Sequence, residues 1–204
     1  MAPSAAETTN NDGCSRLQLI VAGGVGLAAA SPILRALLGI GAADAASKSE
    51  DLRILQLVLQ LEYTQVALYE RALKESSLKG QLRDFAQTAL GHERQHLAAV
   101  KQALGSKAGP KPRFEFGSKT KNADAFTQTA IKLEDIAVAG YNGQATNLTK
   151  PTLAVAAEIV SVEARHAAWV RAIADEVAAP DPVDKPMTAS QVAAGLHEIG
   201  LRTS

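Results

Sequence analysis

Two copies of the pattern Glu-x-x-His carry the side chains in this sequence that are best suited to chemistry. They are Glu93 with His96 and Glu163 with His166. Positions three apart share one face of a helix, so each pair projects in one direction. Carboxylate and imidazole groups held together are ligands for iron, manganese or zinc. One such pair could be an ordinary polar patch on a helix, so a metal site requires further partners elsewhere in the chain.

Two further glutamates supply these partners. Glu62 and Glu134 each precede one Glu-x-x-His pair by about 30 residues. Each is followed seven positions later by a tyrosine, Tyr69 or Tyr141. Each half of the chain therefore contributes one lone glutamate, one tyrosine and one Glu-x-x-His pair.

The same order in both halves reflects an internal repeat. Residues 60–69 align with 132–141, and five of the ten positions are identical. Residues 91–100 align with 161–170, where Glu, His, Ala and Val recur. Only two copies are present, which indicates a duplicated hairpin and not a solenoid array. We therefore expect each half to be one helical hairpin.

Four long segments have the apolar spacing of amphipathic helices. The predicted helices cover residues 51–78, 81–104, 122–148 and 151–179. All six Glu and His residues lie on the apolar stripes of these helices. Four carboxylates in an apolar bundle carry a charge of −4, and burying even one unpaired carboxylate costs several kcal/mol. Two divalent cations would neutralise them and would also use both imidazoles.

The connections between these helices predict a particular topology. Residues 105–121 form a long link that can extend up to ~55 Å at ~3.3 Å per residue, whereas a helix of about 26 residues is ~39 Å long. The link can therefore run the whole length of a bundle. In the tail, residues 188–191 form a capping-box pattern that opens a short helix ending near Ile199. We expect this helix to pack on one end of the bundle.

Composition narrows the class of protein. Aromatic residues make up only 4% of the chain, which suits packed helices better than sheets. Basic and acidic residues balance at 21 each, so no charge excess indicates a nucleic-acid partner.

The N-terminal region resembles an export signal. Arg16 precedes an uncharged stretch, residues 17–34, and an Ala-x-Ala pattern follows at residues 43–45. We expect export to the periplasm or cell envelope with cleavage near residues 45–47. An uncleaved membrane anchor formed by residues 17–34 is the alternative, and a plain soluble extension is the third possibility. The expected divisions are residues 1–46, 47–179 and 180–204.

On the six Glu and His residues and the two Glu-x6-Tyr spacings, the chain resembles the ferritin-like superfamily of dimetal carboxylate proteins. Within that superfamily it is most similar to exported bacterial ferritin-like domain proteins, which include desiccation-related proteins. The resemblance covers about residues 50–178. It implies an all-α four-helix bundle of two duplicated hairpins joined by a long crossover, plus a short C-terminal helix.

The resemblance also implies a ligand set for two divalent ions, iron or manganese, with zinc possible. Glu93 and Glu163 would bridge both ions. Terminal ligands would be two Glu and two His residues, and the sequence leaves open which Glu shares an ion with which His. These terminal ligands are Glu62, His96, Glu134 and His166.

Three other residues near the motifs have alternative roles. Tyr69 and Tyr141 are predicted to donate hydrogen bonds to ligand carboxylates, and their alternative role is that of ordinary core tyrosines. His92 is expected to be an exposed or otherwise satisfied histidine, because the matching position in the other half is Val162. Its alternative role is that of a third imidazole ligand.

A dimetal carboxylate centre favours redox chemistry. The expected function is handling of iron, oxygen or peroxide under stress, by a ferroxidase, peroxidase or manganese-catalase-like reaction. The alternative is a non-enzymatic stress or structural protein whose metals are structural or lost. Iron storage in a cage fits an exported protein poorly, and a homo-oligomer is compatible with the sequence.

Overall fold

The computed structural model describes residues 46–202, and the predicted export signal or anchor lies outside them. This part of the chain is a helical bundle with a short C-terminal helix, which confirms the predicted fold class. Its five α-helices are α1 (Lys48–Glu75), α2 (Gly80–Leu104), α3 (Ala123–Gln144), α4 (Lys150–Ile173) and α5 (Ala189–Ile199).

Local backbone geometry explains where the first hairpin turns. Ser47 caps α1 by accepting a hydrogen bond from the backbone N–H of Glu50 at 3.1 Å. The helix ends at Glu75, three residues before the predicted end, because Ser77 adopts a left-handed conformation with φ of 51°. Gly80 also has a positive φ, 52°, and it begins α2 instead of ending α1.

The second hairpin also has shorter helices than the sequence predicts. After Gln144 the chain tightens into a 3-10 turn, Ala145–Asn147. Helix α4 has Pro151 in its first turn and ends at Ile173, six residues before the predicted end. There Asp175 takes a left-handed conformation with φ of 57°.

Contacts across the bundle show that α1 and α3 run antiparallel and that the long link is a full crossover. The carbonyl of Lys107, at the start of the link, accepts a hydrogen bond from Gln56 near the start of α1. At the other end of the link, the carbonyl of Thr120 accepts one from Ser76 at 2.5 Å. These two points on α1 are about 30 Å apart at 1.5 Å per residue. The link therefore runs along the bundle, as predicted.

The core lies between the four long helices. Its largest fully buried side chains include Tyr69, Phe85, Phe126 and Leu133. Burial of an apolar side chain of this size contributes about 1.5–3 kcal/mol, so these contacts hold the hairpins together around the polar side chains described below.

Helix α5 begins at the predicted capping box, with Thr188 and Gln191 exchanging backbone and side-chain hydrogen bonds. It lies along the C-terminal half of α3, and not on an end of the bundle as expected. Gly195 makes this close approach possible, because a Cβ there would lie 2.8 Å from Ile136. After α5, a two-residue strand (Leu201–Arg202) pairs antiparallel with Arg113–Phe114 of the crossover. Within residues 46–202, no helix has the length and apolar character needed to span a bilayer.

Candidate metal centre

The four long helices bring all six predicted Glu and His residues into one buried cluster. Helices α1 and α3 each contribute a lone glutamate, while α2 and α4 each contribute a Glu-x-x-His pair. The four glutamates are 0% exposed and His166 is 2% exposed. The cluster consists of Glu62, Glu93, His96, Glu134, Glu163 and His166.

The cluster divides into two groups of four residues, and in each group one ligand atom per residue lies within 4.8 Å of the others. We call them position 1 and position 2. Position 1 contains Glu62 and His96, and position 2 contains Glu134 and His166. Glu93 and Glu163 belong to both positions. The geometry therefore places Glu62 with His96 and Glu134 with His166, a pairing that the sequence left open.

The close approaches between the two Glu-x-x-His helices are symmetric. The Nδ1 atom of His96 lies 2.9 Å from Oε1 of Glu163, and Nδ1 of His166 lies 2.9 Å from Oε1 of Glu93. Both histidines therefore turn Nδ1 toward the carboxylates.

Several atoms of the cluster have no hydrogen-bond partner. The approach of His166 Nδ1 to Glu93 Oε1 lacks hydrogen-bond geometry, and both atoms are unsatisfied. One oxygen each of Glu62 and Glu163 is also buried without a partner. Buried polar groups normally have hydrogen-bond partners, and leaving one unpaired costs about 1–3 kcal/mol. Unsatisfied carboxylate and imidazole atoms that converge in this way fit divalent metal ions, so the cluster could hold such ions.

The pKa values of the metal-free cluster also favour a bound cation. Burial, together with the charge of Glu93, raises the pKa of Glu62 and of Glu163 well above the ordinary value. Burial also acts to raise the pKa of Glu93, but interactions with His166 and His96 hold it below its ordinary value. Without a cation, the cluster therefore retains protons on some of its carboxyl groups.

His166 is the main positive group of the metal-free cluster. Burial acts to lower its pKa, but the neighbouring carboxylates of Glu134 and Glu93 raise that pKa to about 10. A proton on this histidine partly balances the carboxylates, and a bound cation would replace it.

The two tyrosines hydrogen-bond carboxylates of the cluster, and they do so across the bundle. Tyr69 of α1 donates to Oε1 of Glu134 on α3. Tyr141 of α3 donates to Oε1 of Glu62 on α1 at 2.6 Å. Each tyrosine therefore orients the lone glutamate of the other half.

Two polar residues that the sequence did not single out as partners of the cluster also contact it. Gln65 is fully buried, and its amide donates to Oε2 of Glu163 at 2.8 Å. His92 lies beside His166, with its Nδ1 2.9 Å from Nε2 of His166 and the two rings stacked. The sequence did contain a signal for Gln65. It is a polar residue three positions after Glu62, so it shares a helix face with that glutamate.

Aromatic side chains and a cavity lie on opposite sides of the cluster. Phe85 packs edge-on against Tyr69, His166 and Trp169. Beside Tyr141 there is instead an apolar cavity of about 200 Å³. Its lining includes Ile54, Val58, Ala99, Val100, Val155 and Ile159.

Comparison with known proteins agrees with the arrangement of the site. No curated protein matches the chain. The family model described as "Ferritin-like domain" matches residues 50–176, which include all six residues of the cluster and both tyrosines. This match covers more than half of the chain, and the chain therefore belongs to the ferritin-like domain family.

Proposed function

We propose that this protein binds two divalent metal ions, iron or manganese, at positions 1 and 2 and uses them in redox handling of iron, oxygen or peroxide. The observation that carries the proposal is the convergence of buried, unsatisfied atoms from Glu62, Glu93, Glu163 and His166 in one cluster. Hydrogen bonds within the protein do not satisfy these atoms, and two cations would.

The charges also favour two ions over one. Four carboxylates carry a charge of −4 when ionised, and two divalent cations reduce this sum to zero. No lysine or arginine of residues 46–202 forms an ion pair with the cluster. The mixed carboxylate and imidazole ligands suit iron, manganese or zinc more than calcium.

Each residue of the site has a definite role in this proposal. Glu93 and Glu163, which belong to both positions, would each provide carboxylate oxygens to both ions. Tyr69 and Tyr141 fix the carboxylates of Glu134 and Glu62 by hydrogen bonds, which reduces the reorganisation needed when an ion binds. Iron or manganese would supply the electrons for reaction with oxygen or peroxide, whereas zinc would have only a structural role.

The test is metal analysis of the purified chain followed by activity assays. We expect about two iron or manganese ions per chain, with Fe(II) oxidation or peroxide consumption by the loaded protein. Glu93→Gln together with Glu163→Gln should abolish both binding and turnover. Glu158→Gln is the matched control, because Glu158 is an exposed glutamate on the same helix as Glu163.

Two outcomes would contradict the proposal in different ways. Failure to take up metal on reconstitution would exclude the metal centre itself. Two tightly bound ions that raise the melting temperature without any turnover would instead support the alternative, a non-enzymatic protein with structural metals.

We also propose that the chain acts in the cell envelope under stress. The support is the sequence of residues 17–45, with its uncharged stretch and Ala-x-Ala pattern. N-terminal sequencing of the protein from fractionated cells tests this location. A mature N-terminus near residues 45–47 in the periplasmic fraction is expected, retention of residues 17–34 in the membrane fraction would indicate an anchor, and an intact chain in the cytoplasmic fraction would contradict export.

A further inference from the structure

The two halves of the bundle are copies, but they surround the cluster with different side chains. In the alignment of the repeats, Gln65 corresponds to Ala137 and His92 corresponds to Val162. The first half therefore has a polar residue at both places, and the second half has an apolar residue at both. His92 contacts His166 of position 2. Gln65 contacts the shared Glu163 at Oε2, the oxygen that faces His166, whereas Oε1 of Glu163 faces His96. Both contacts are therefore on the side of position 2.

His92 fixes the ring of His166. Because Nδ1 of His166 faces the carboxylates, that atom must carry the free electron pair when a metal binds. The neutral ring then has its proton on Nε2 and donates it to Nδ1 of His92, 2.9 Å away. Such a hydrogen bond on the far nitrogen sets both the tautomer and the orientation of a ligating histidine. In His96, Nδ1 lies 3.0 Å from Oε2 of Glu93. Among residues 46–202, no side chain hydrogen-bonds Nε2 of His96, because Val162 occupies the place that matches His92.

Gln65 fixes the carboxylates of position 2. Its amide nitrogen lies 2.8 Å from Oε2 of Glu163 and 3.4 Å from Oε2 of Glu134. In the other half, Ala137 has no group that could hold Glu93 and Glu62 in the same way. Position 2 therefore has its ligands arranged before an ion arrives.

The side chains also pack more tightly around position 2 than around position 1. Large aromatic side chains lie on the side of position 2. Phe85 packs edge-on against His166 and against Trp169, and Phe126 packs edge-on against Tyr69. Their counterparts in the repeat are smaller, Val155, Ile54 and Ala99, and all three line the cavity beside Tyr141. The side chain of His96 is 11% exposed, compared with 3% for His166. Position 1 is thus the more open of the two.

We propose that the two metal positions are inequivalent: position 2 takes the first ion and holds it more tightly, and position 1 takes the second ion and exchanges it with solvent. The inference rests on the proposed binding of two ions. Its physical reason is that ligands already oriented by His92 and Gln65 lose less freedom when they bind. Removing such outer partners typically costs 10–100-fold in metal affinity.

The experiment is a titration of the metal-free full chain with Mn²⁺. The concentration of free Mn²⁺ at each step is measured by electron paramagnetic resonance. We expect two binding steps whose dissociation constants differ by about 10-fold or more. His92→Val, which copies the other half, should weaken the first step by roughly 10–100-fold and leave the second unchanged. A crystal grown with one equivalent of Mn²⁺ should show anomalous density at position 2.

Matched variants assign the steps to positions. Glu134→Gln should remove the tight step, whereas Glu62→Gln should remove the weak one. Val162→His, the converse of His92→Val, should leave the tight step unchanged, and His197→Val is the control because His197 is an exposed histidine on α5. Circular dichroism of each variant checks that it is folded, and the anomalous experiment on the unaltered chain depends on no variant.

The outcomes separate this inference from the proposed function. Two ions bound with equal affinity, or the first ion located at position 1, would overturn the inequivalence and leave the metal centre intact. A His92→Val effect confined to the weak step would also overturn it. No Mn²⁺ uptake at all would overturn both proposals.

Discussion

Tyr141 on α3 donates a hydrogen bond of 2.6 Å to Oε1 of Glu62 on α1, and both residues are buried. Tyr69 makes the reciprocal bond to Glu134. The two hydrogen bonds cross-link the hairpins at the level of the cluster. They therefore connect the stability of the bundle with the positions of two candidate ligands.

The first prediction concerns this cross-link. Tyr141→Phe leaves the buried Glu62 carboxyl group without its donor and should lower the free energy of unfolding by about 1–3 kcal/mol. Urea denaturation of the metal-free protein measures the change. Tyr63→Phe is the control, since Tyr63 is buried on the same helix as Glu62 and no hydrogen bond joins its hydroxyl to another described residue. Equal stability of Tyr141→Phe and the unaltered protein would show that the hydrogen bond contributes nothing.

The second prediction is that the metal-free protein loses stability as the pH rises. The pKa of His166 is raised from 6.5 to about 10, so its proton stabilises the folded state fully below pH 6.5, and this contribution is lost as the pH approaches 10. The raised pKa values of Glu62 and Glu163 act in the same direction above pH 4.5, whereas the lowered pKa of Glu93 changes the stability only below pH 4.5. Urea denaturation between pH 6.5 and 10 should show falling stability.

A variant provides the control for this pH dependence. His166→Gln removes the histidine whose pKa is raised and should reduce the slope, whereas His197→Gln, at an exposed histidine, should retain the full slope. Stability that stays constant or rises over this range in the unaltered metal-free protein would contradict the assigned protonation.

The third prediction concerns metal binding and protons. Ligands must lose their protons to bind a cation, so loading should release protons from His166 and from the carboxyl groups of Glu62 and Glu163. The apparent Mn²⁺ affinity should therefore rise with pH, by about tenfold per pH unit for each displaced proton. Calorimetry in buffers with different ionisation enthalpies counts these protons. Binding without proton release would mean that the ions bind elsewhere.

The fourth prediction tests a structural contact remote from the cluster. Asp51 near the start of α1 accepts hydrogen bonds from the backbone N–H of Thr149 at 2.9 Å and from the hydroxyl of Thr152 at 2.6 Å. Thr149 is the N-cap of α4 but has no capping bond of its own, so Asp51 caps α4 from another helix. Asp51→Ala should cost about 1–3 kcal/mol in the free energy of unfolding. Because Asp51 is outside the cluster, Mn²⁺ affinity should not change.

Much of the fold follows from patterns that are local in sequence. Apolar spacing predicts the four long helices, and the capping box predicts the start of α5 at Thr188. Helix ends were predicted less well, because left-handed residues such as Ser77 and Asp175 carry no strong sequence signal. The position of α5 depends on the close approach of Gly195 to Ile136, which links residues distant in sequence.

In the cluster, too, some features follow from local sequence patterns and others depend on contacts between distant residues. Spacing and the repeat were sufficient to predict that six side chains share one site. The pairing of Glu62 with His96, the crossed hydrogen bonds of Tyr69 and Tyr141 and the contact of His92 with His166 depend on how the helices pack. For His92 the sequence predicted only an exposed or otherwise satisfied histidine, and its counterpart Val162 gave no signal for the contact with His166.

Anomalous diffraction from a crystal grown with excess Mn²⁺ would show whether the buried Glu and His residues form a dimetal centre. We expect two peaks of anomalous density ~3.5–4 Å apart. One should lie among Glu62, Glu93, His96 and Glu163, and the other among Glu93, Glu134, Glu163 and His166. A cluster without anomalous density, in a crystal of folded protein saturated with Mn²⁺, would contradict the claim that these residues form a dimetal centre.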